Sequence, residues 1–133
     1  MDSRRPPAPL PAQAPRGRGK VLLVEDDELV RESVSGVLAD AGFEIHAVAT
    51  ADEALARMDG GESFDVVFTD VVMPGTLDGI ALARHIRERH PATGVVIASG
   101  YADRHVLVPG VRTLPKPYDL DAAVAALDDA LPR

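Results

Sequence analysis

The chain has 133 residues, no cysteine, 46% hydrophobic residues and a formal net charge of −7 at pH 7. This length suits one domain with its own core, the absence of cysteine excludes disulfides and suits a reducing cytoplasm, and the acidic balance argues against a direct nucleic-acid surface. No apolar run approaches the ~20 residues that span a bilayer, and no apolar signal segment follows the N-terminal arginines, so we expect a cytoplasmic protein.

The first 19 residues differ in composition from the rest. The stretch "PPAPLPAQAPRGRG" is rich in proline, alanine and glycine and has no periodic apolar pattern, which is typical of a flexible or polyproline-like arm. Residues 1–19 also carry four arginines and one aspartate, which favours a solvated linker over a surface for nucleic acid or acidic lipid. We predict a disordered tail or linker over residues 1–19 and one folded domain over residues 20–133.

From residue 20 onward, short apolar runs alternate with amphipathic stretches. The patterns predict strands at 20–25, 43–49, 64–70, 94–99 and 111–114, and helices at 27–40, 50–61, 78–90 and 119–131. Continuous apolar runs such as "VLLV" are typical of strands that are buried on both faces. The alternation indicates an α/β fold with a doubly wound parallel sheet, helices on both faces and right-handed crossovers.

Reactive side chains follow the predicted strands at the points where they end. The first strand runs into "EDDE", the third ends at Asp70, the fourth ends at Ser99, and Lys116 follows the fifth. Because sites form at the carboxyl ends of parallel strands, we expect these groups to meet in one shallow pocket. Clustered carboxylates suit a hard cation, above all Mg²⁺, and a carboxylate beside such an ion can attack phosphorus to form an acyl phosphate.

Four segments carry a resemblance to a known family. In order along residues 20–131, "VLLVEDDE", "DVVFTDVVMPG…DG", "VVIASGY" and "LPKPY" resemble the receiver domain of bacterial two-component response regulators. The resemblance implies a flavodoxin-like, five-stranded parallel sheet with strand order 2-1-3-4-5.

The resemblance also implies a role for each site residue. Asp70 would be the phosphoacceptor. The acid pair Glu25 and Asp26 would hold Mg²⁺, with Mn²⁺ as the alternative ion, and Asp26 would be the more direct ligand.

The remaining implied roles belong to the loops beyond the strand ends. The backbone carbonyl of Val72 would complete the protein's share of the metal ligands. Ser99 would be the switch hydroxyl, and Lys116 would contact the phosphoryl group or the resting carboxylate. The bond between Lys116 and Pro117 is cis in similar proteins, and cis bonds are largely confined to X–Pro.

The sequence departs from the family pattern in three places. The loop "MPGTLDG" carries one extra residue. The stretch between Ser99 and Lys116 is about five residues short by family comparison, so the fourth helix, which lies between the fourth and fifth strands, is predicted to shrink to one or two turns or a mobile loop. Thr113 stands where receivers usually place a tyrosine or phenylalanine, which puts the usual coupling of hydroxyl and ring in doubt.

Two residues flank the predicted phosphoryl site. Tyr101, in "SGY", could substitute for the missing aromatic ring, and receivers with this motif and a reduced fourth helix are often attached to or paired with sensor kinases. Val72 and Tyr101 lie two residues after Asp70 and Ser99. Bulky or apolar groups there should hinder an attacking water, so we predict slow self-dephosphorylation.

Asp27 and the histidines are further residues to consider as metal ligands. Asp27 could be a third metal ligand, but we favour it as the N-cap of the first helix. The four histidines lack the spacing of metal ligands; they are His46, His85, His90 and His105. We interpret His85 and His90 as solvated side chains on a charged helix.

The function that we predict is a phosphorylation-dependent signalling switch. A histidine kinase or histidine phosphotransfer protein would donate a phosphoryl group to Asp70, and the added charge would bias a two-state element. Because no output domain follows in the sequence, we expect output through protein–protein contacts, without direct DNA binding or membrane association.

Three other functions are weighed against this one. An aspartyl-phosphate phosphatase would often place a second acid two residues after the nucleophile, where this chain has Val72, so we expect no turnover beyond the protein's own phosphorylation and dephosphorylation. A non-phosphorylated scaffold would be favoured if a site acid or the lysine were missing. A nucleotide-binding fold lacks support because no glycine-rich loop follows the first strand.

Overall fold

The computed structural model describes residues 18–71, 77–100 and 108–132. The strands are β1 (Lys20–Val24), β2 (Glu44–Val48), β3 (Val66–Asp70), β4 (Gly94–Ser99) and β5 (Arg112–Pro115). The helices are α1 (Glu28–Asp40), α2 (Ala51–Asp59), α3 (Gly79–Arg89) and α4 (Leu120–Ala130). Each of these elements was predicted from the sequence, with ends that agree to within two residues. The predictions for Val72, Tyr101 and the shortened helix between β4 and β5 lie outside the described residues.

The five strands form one parallel sheet in the order β2-β1-β3-β4-β5. This order confirms the predicted fold class. The two central strands, β1 and β3, consist almost wholly of buried residues, as expected for strands that are covered by helices on both faces. The register places Asp70 opposite Ala98 and Ser99 opposite Pro115, so the ends of β3, β4 and β5 lie at one edge of the sheet.

Alternate residues of the strands pack into two separate cores, because successive side chains of a strand point to opposite faces. On one face, Leu22 and Val24 of β1 pack with side chains of α2 and α3 such as Met58, Leu82 and Ile86. On the other face, side chains of β1, β3 and β5 pack against α1 and α4; the buried residues of that core include Val21, Leu23, Leu38, Phe68, Leu114 and Leu127.

Each helix begins at a side chain that caps it. Thr50 Oγ accepts the Glu53 N–H at 3.1 Å, and Glu53 Oε1 accepts the Ala49 N–H at 3.0 Å. Three aspartates cap the other helices through the N–H three residues on; they are Asp27, Asp78 and Asp119. These bonds satisfy backbone donors that a helix cannot pair internally. The preference for Asp27 as an N-cap is therefore confirmed.

Two further observations concern the N-terminal end of the domain and the lengths of its helices. Arg18 contacts the domain: its Nη1 lies 2.7 Å from Asp128 Oδ2, and its guanidinium lies over the ring of Phe43. Within the described residues, the helices are too short or too polar to cross a membrane.

Candidate functional site

With the exception of Thr113, the predicted site residues within the described ranges lie at the carboxyl edge of the sheet. Asp70 ends the central strand β3, and Ser99 ends the neighbouring strand β4. The Lys116 N–H donates to the Ser99 carbonyl at 2.9 Å, which brings the loop after β5 beside β4. This edge is where ligand sites form in open parallel sheets, and the roles expected for these residues in a shared site stay predictions.

Three carboxylates form a cluster at this edge. Glu25, Asp26 and Asp70 each offer an oxygen, and these oxygens lie within 4.8 Å of one another. The backbone holds Glu25 in place, because its N–H donates to the Val48 carbonyl at 3.0 Å and its Oε2 accepts the Asp27 N–H at 3.1 Å. The potential ligand atoms are all carboxylate oxygens and lie close together, which suits a hard divalent cation.

Burial and the neighbouring acids disfavour the ionised form of Glu25. Burial, the nearby charge of Asp70 and the hydrogen bonds to Asp70 and Asp26 together raise the pKa of Glu25 from 4.5 to about 7, against the opposing hydrogen bond from the Asp27 N–H. A carboxyl group in this position needs either a proton or a cation to neutralise it.

Lys116 provides one cation at the site. Its Nζ lies 2.6 Å from Asp70 Oδ1, and the Asp70 side chain is only 16% exposed. The peptide bond that follows, between Lys116 and Pro117, is cis. A charge-assisted contact of this length is strong, so Lys116 holds the Asp70 carboxylate in place at the tip of β3.

Ser99 contributes a hydroxyl group with no partner of its own. The residue is 3% exposed, and among the described residues its Oγ has no hydrogen-bond partner. A buried polar group in this state carries a desolvation cost that a ligand could relieve. The orphaned hydroxyl therefore supports a site that accepts a group with hydrogen-bonding oxygens.

Two residues at this edge received no role from the sequence. A Cβ placed on Gly79 would overlap the carbonyl oxygen of Asp70, and the Gly79 N–H donates to the Val71 carbonyl at 2.8 Å, so Gly79 lets α3 start against the backbone of the acid. Tyr118 lies in the same small cleft as Glu25 and Asp70. Burial raises the pKa of Tyr118, and the charges of Asp70 and Glu25 add to the effect. The sequence signals that could have identified Gly79 and Tyr118 are the segments "DG" and "KPY", which contain them.

Other site predictions have mixed outcomes. Thr113 is an exposed residue of β5, paired with Ile97 of β4, and its modulating role stays a prediction. Val72 and Tyr101 lie outside the described residues. The interpretation of His85 and His90 as solvated side chains is wrong: each is only 25% exposed, and each lies against Asp59. Spacing along the chain failed here because the third member of the group comes from another helix.

Within the described residues, a larger cavity than the cleft beside Asp70 lies elsewhere. A cleft of about 680 Å³ lies at the opposite end of the sheet, between the C-terminal part of α3, the C-terminal end of α4 and the segments that begin β4 and β5. The acids and the lysine described above do not line this cleft. We give the carboxyl edge more weight, because charged groups and an orphaned hydroxyl converge there.

Comparison with known proteins gives one consistent family. The family model for the response regulator receiver domain matches residues 21–128. The DNA-binding transcriptional regulator NtrC of Salmonella typhimurium is 35% identical over 119 residues, which cover 86% of this chain and 25% of NtrC. The sensor kinase CckA of Brucella abortus is 37% identical over 122 residues, which cover 86% of this chain and 13% of CckA. The chain thus spans about a quarter or less of these two relatives.

The fold has close counterparts among solved structures. The crystal structure of a response regulator receiver domain protein from Clostridium thermocellum matches with a TM-score of 0.76 at 26% identity. The match covers 84% of this chain and 92% of that one. The similarity therefore extends over nearly all of that protein and not over a shared fragment.

Proposed function

The chain belongs to the response regulator receiver domain family, and on this premise we propose that it is a phosphorylation-dependent signalling switch with Asp70 as the phosphoacceptor. The observation that carries the proposal is the position of Asp70, which ends the central strand beside two further acids and 2.6 Å from Lys116. The proposed donor is a histidine kinase or a histidine phosphotransfer protein.

The proposed reaction transfers a phosphoryl group between two side chains. A carboxylate oxygen of Asp70 attacks the phosphorus, the new P–O bond forms while the P–N bond of the donor's phosphohistidine breaks, and the imidazole leaves with the electron pair. Lys116, which contacts Asp70, would neutralise charge on the transferred oxygens. The Ser99 hydroxyl, which has no partner among the described residues, would donate a hydrogen bond to a phosphoryl oxygen.

We further propose that Glu25, Asp26 and Asp70 hold Mg²⁺, or Mn²⁺ in its place, with the backbone carbonyl of Val72 as another ligand. This proposal rests on the three clustered carboxylates and on the raised pKa of Glu25, whose largest cause is burial. When bound, the ion would neutralise charge on the phosphoryl oxygens. It would also offset the repulsion that otherwise destabilises the ionised cluster.

Receiver domains are signalling modules, and we propose that this one catalyses no reaction beyond its own phosphorylation and dephosphorylation. The relatives NtrC and CckA are named as a DNA-binding regulator and a sensor kinase, and each is several times longer than the matched region. We propose that output from residues 20–133 goes through protein–protein contacts, because this body is acidic and does not favour direct DNA binding. Residues 1–19 would act as a tail or linker.

The test is a titration with beryllofluoride and Mg²⁺, followed by NMR. Beryllofluoride mimics a phosphoryl group on a carboxylate, so the parent chain should show saturable shifts at the ends of β3, β4 and β5. Asp70→Asn should abolish the response, while Asp59→Asn, the same change at the other end of the sheet, should preserve it. The assignment of Asp70 would be wrong if its variant responded as well as the parent.

A further inference from the structure

A second group of metal-binding side chains lies away from the acidic cluster. Asp59 is the last residue of α2, His85 lies in the C-terminal half of α3, and His90 is the C-cap of α3. Helices that connect parallel strands run back along the sheet, so their C-terminal ends lie at the edge where the strands begin. This group, the Asp59–His85–His90 cluster, is therefore at the opposite end of the sheet from Asp70.

The geometry of the Asp59–His85–His90 cluster is close to that of a metal site. His90 Nε2 lies 2.9 Å from Asp59 Oδ1, and His85 Nε2 lies 3.5 Å from Asp59 Oδ2. One ligand atom from each residue falls within 4.8 Å of the other two. The ligands of a tetrahedral zinc ion are roughly 3.3 Å apart, given bond lengths near 2 Å. Small side-chain rotations would bring the three atoms around one ion.

A second observation comes from His85. Its Nε2 is buried, yet it has no hydrogen-bond partner within the described part of the chain. Buried polar atoms in native proteins are nearly always paired with a protein group, a water or an ion. His90 is hydrogen-bonded to Asp59 at 2.9 Å, whereas His85 Nε2 lies 3.5 Å from Asp59 Oδ2 and makes no hydrogen bond within the described residues.

The local charges also favour a cation. The C-terminal ends of α2 and α3 both lie at the cluster, and helix C-termini carry partial negative charge from unpaired carbonyl groups. Asp59 adds a carboxylate. Arg89 acts in the opposite sense, because its charge reaches Asp59, but its side chain is exposed and therefore well screened.

We propose that Asp59, His85 and His90 form a second metal site, which binds Zn²⁺ with a fourth position open to water. Two imidazoles and one carboxylate are a zinc donor set, whereas Mg²⁺ prefers oxygen ligands alone. The site is separate in chemistry and location from the Mg²⁺ site proposed at Asp70. It does not depend on whether Asp70 is phosphorylated.

The experiment is a Zn²⁺ titration of the untagged full chain in excess Mg²⁺, which occupies the oxygen-rich cluster. Calorimetry would give the stoichiometry and affinity, and NMR of the imidazole rings would identify the ligands. We expect one equivalent of Zn²⁺ to bind and to shift the ring resonances of His85 and His90. Asp59→Asn and His90→Gln should each weaken binding at least about tenfold, since even the loss of an outer partner costs a metal site ~10- to 100-fold.

A matched control comes from the other described histidine. His46 Nε2 lies 2.7 Å from Glu44 Oε2, and its side chain is 30% exposed, so His46→Gln removes a similar surface contact without touching the proposed site. This variant should keep the affinity of the parent. The proposal is overturned if the parent shows no saturable Zn²⁺ binding, or if His46→Gln weakens it as much as His90→Gln does. Circular dichroism would verify that all variants are folded.

Discussion

The two ends of the sheet gather ionisable groups by different routes. At the carboxyl edge, Glu25, Asp26 and Asp70 come from strand tips and the turns beside them. At the amino edge, the Asp59–His85–His90 cluster comes from the ends of two helices. Strand tips in a parallel sheet meet because the strands are hydrogen-bonded neighbours, whereas helix ends meet only if two helices pack side by side.

The difference also appears in the charges. The acidic cluster holds three carboxylates beside the cation Lys116, and burial together with the neighbouring acids raises the pKa of Glu25 to about 7. At the amino edge, the carboxylate of Asp59 contacts the imidazoles of His85 and His90. The hydrogen bond from His90 lowers the pKa of Asp59. The carboxyl edge therefore gathers three carboxylates, whereas the amino edge pairs one carboxylate with two imidazoles.

The largest expected difference between the ends concerns phosphorylation. Asp70→Asn should eliminate incorporation of a phosphoryl group from acetyl phosphate in Mg²⁺, because an amide cannot form the acyl phosphate. Asp59→Asn should leave the rate unchanged, since it removes the same charge at the far end. Mass spectrometry of the intact chain would measure both. Equal loss in the two variants would mean that the ends are coupled, and equal retention would mean that Asp70 is not the acceptor.

Glycine substitutions offer a sharper comparison. A Cβ on Gly79 would overlap the carbonyl oxygen of Asp70, and a Cβ on Gly94 would overlap that of Ala130. Both Gly79→Ala and Gly94→Ala should therefore destabilise the fold by about 1–3 kcal/mol, as measured by urea unfolding. Gly36→Ala is the control, because no atom outside its own helix lies within 4 Å of that Cβ.

Only one of the two variants should affect the chemistry. Gly79→Ala pushes on the backbone that carries Asp70, the proposed phosphoacceptor, and a displacement of about 1 Å can slow a positioned reaction ~100-fold. Gly94→Ala acts at the opposite end and should phosphorylate at the parent rate wherever it remains folded. Similar rates in both variants would show that α3 does not position Asp70.

The sequence predicted the carboxyl edge far better than the amino edge, for a physical reason. Apolar runs mark the strands, and the polar residue that follows each run must lie at a strand tip, so Asp70 and Ser99 could be placed without coordinates. Gly79 and the Asp59–His85–His90 cluster depend on how helices are positioned over the sheet. Their side chains are distant in sequence and have no periodic pattern between them, so only the packing of α2 against α3 brings them together.

The smallest expected effect is a change in the free energy of unfolding when no metal occupies the acidic cluster. In EDTA at pH 8, Glu25→Gln should raise the free energy of unfolding by about 1 kcal/mol, after allowance for solvent screening of a partly exposed group. At pH 4.5 the substitution should have little effect. Urea unfolding at both pH values measures the difference, and Glu32→Gln, an exposed change on α1, is the control.

The sign follows from proton linkage. The pKa of Glu25 is raised by burial from 4.5 to about 7, so between these values the folded state binds more protons than the unfolded state. The stability contributed by the protonated carboxyl is present below pH 4.5 and is lost as the pH rises through 7. Excess Mg²⁺ should reverse the ranking at pH 8, because the glutamine variant lacks a metal ligand. If the variant were less stable than the parent in EDTA at pH 8, burial and the neighbouring acids would not disfavour ionised Glu25, and the contrast with the amino edge would disappear.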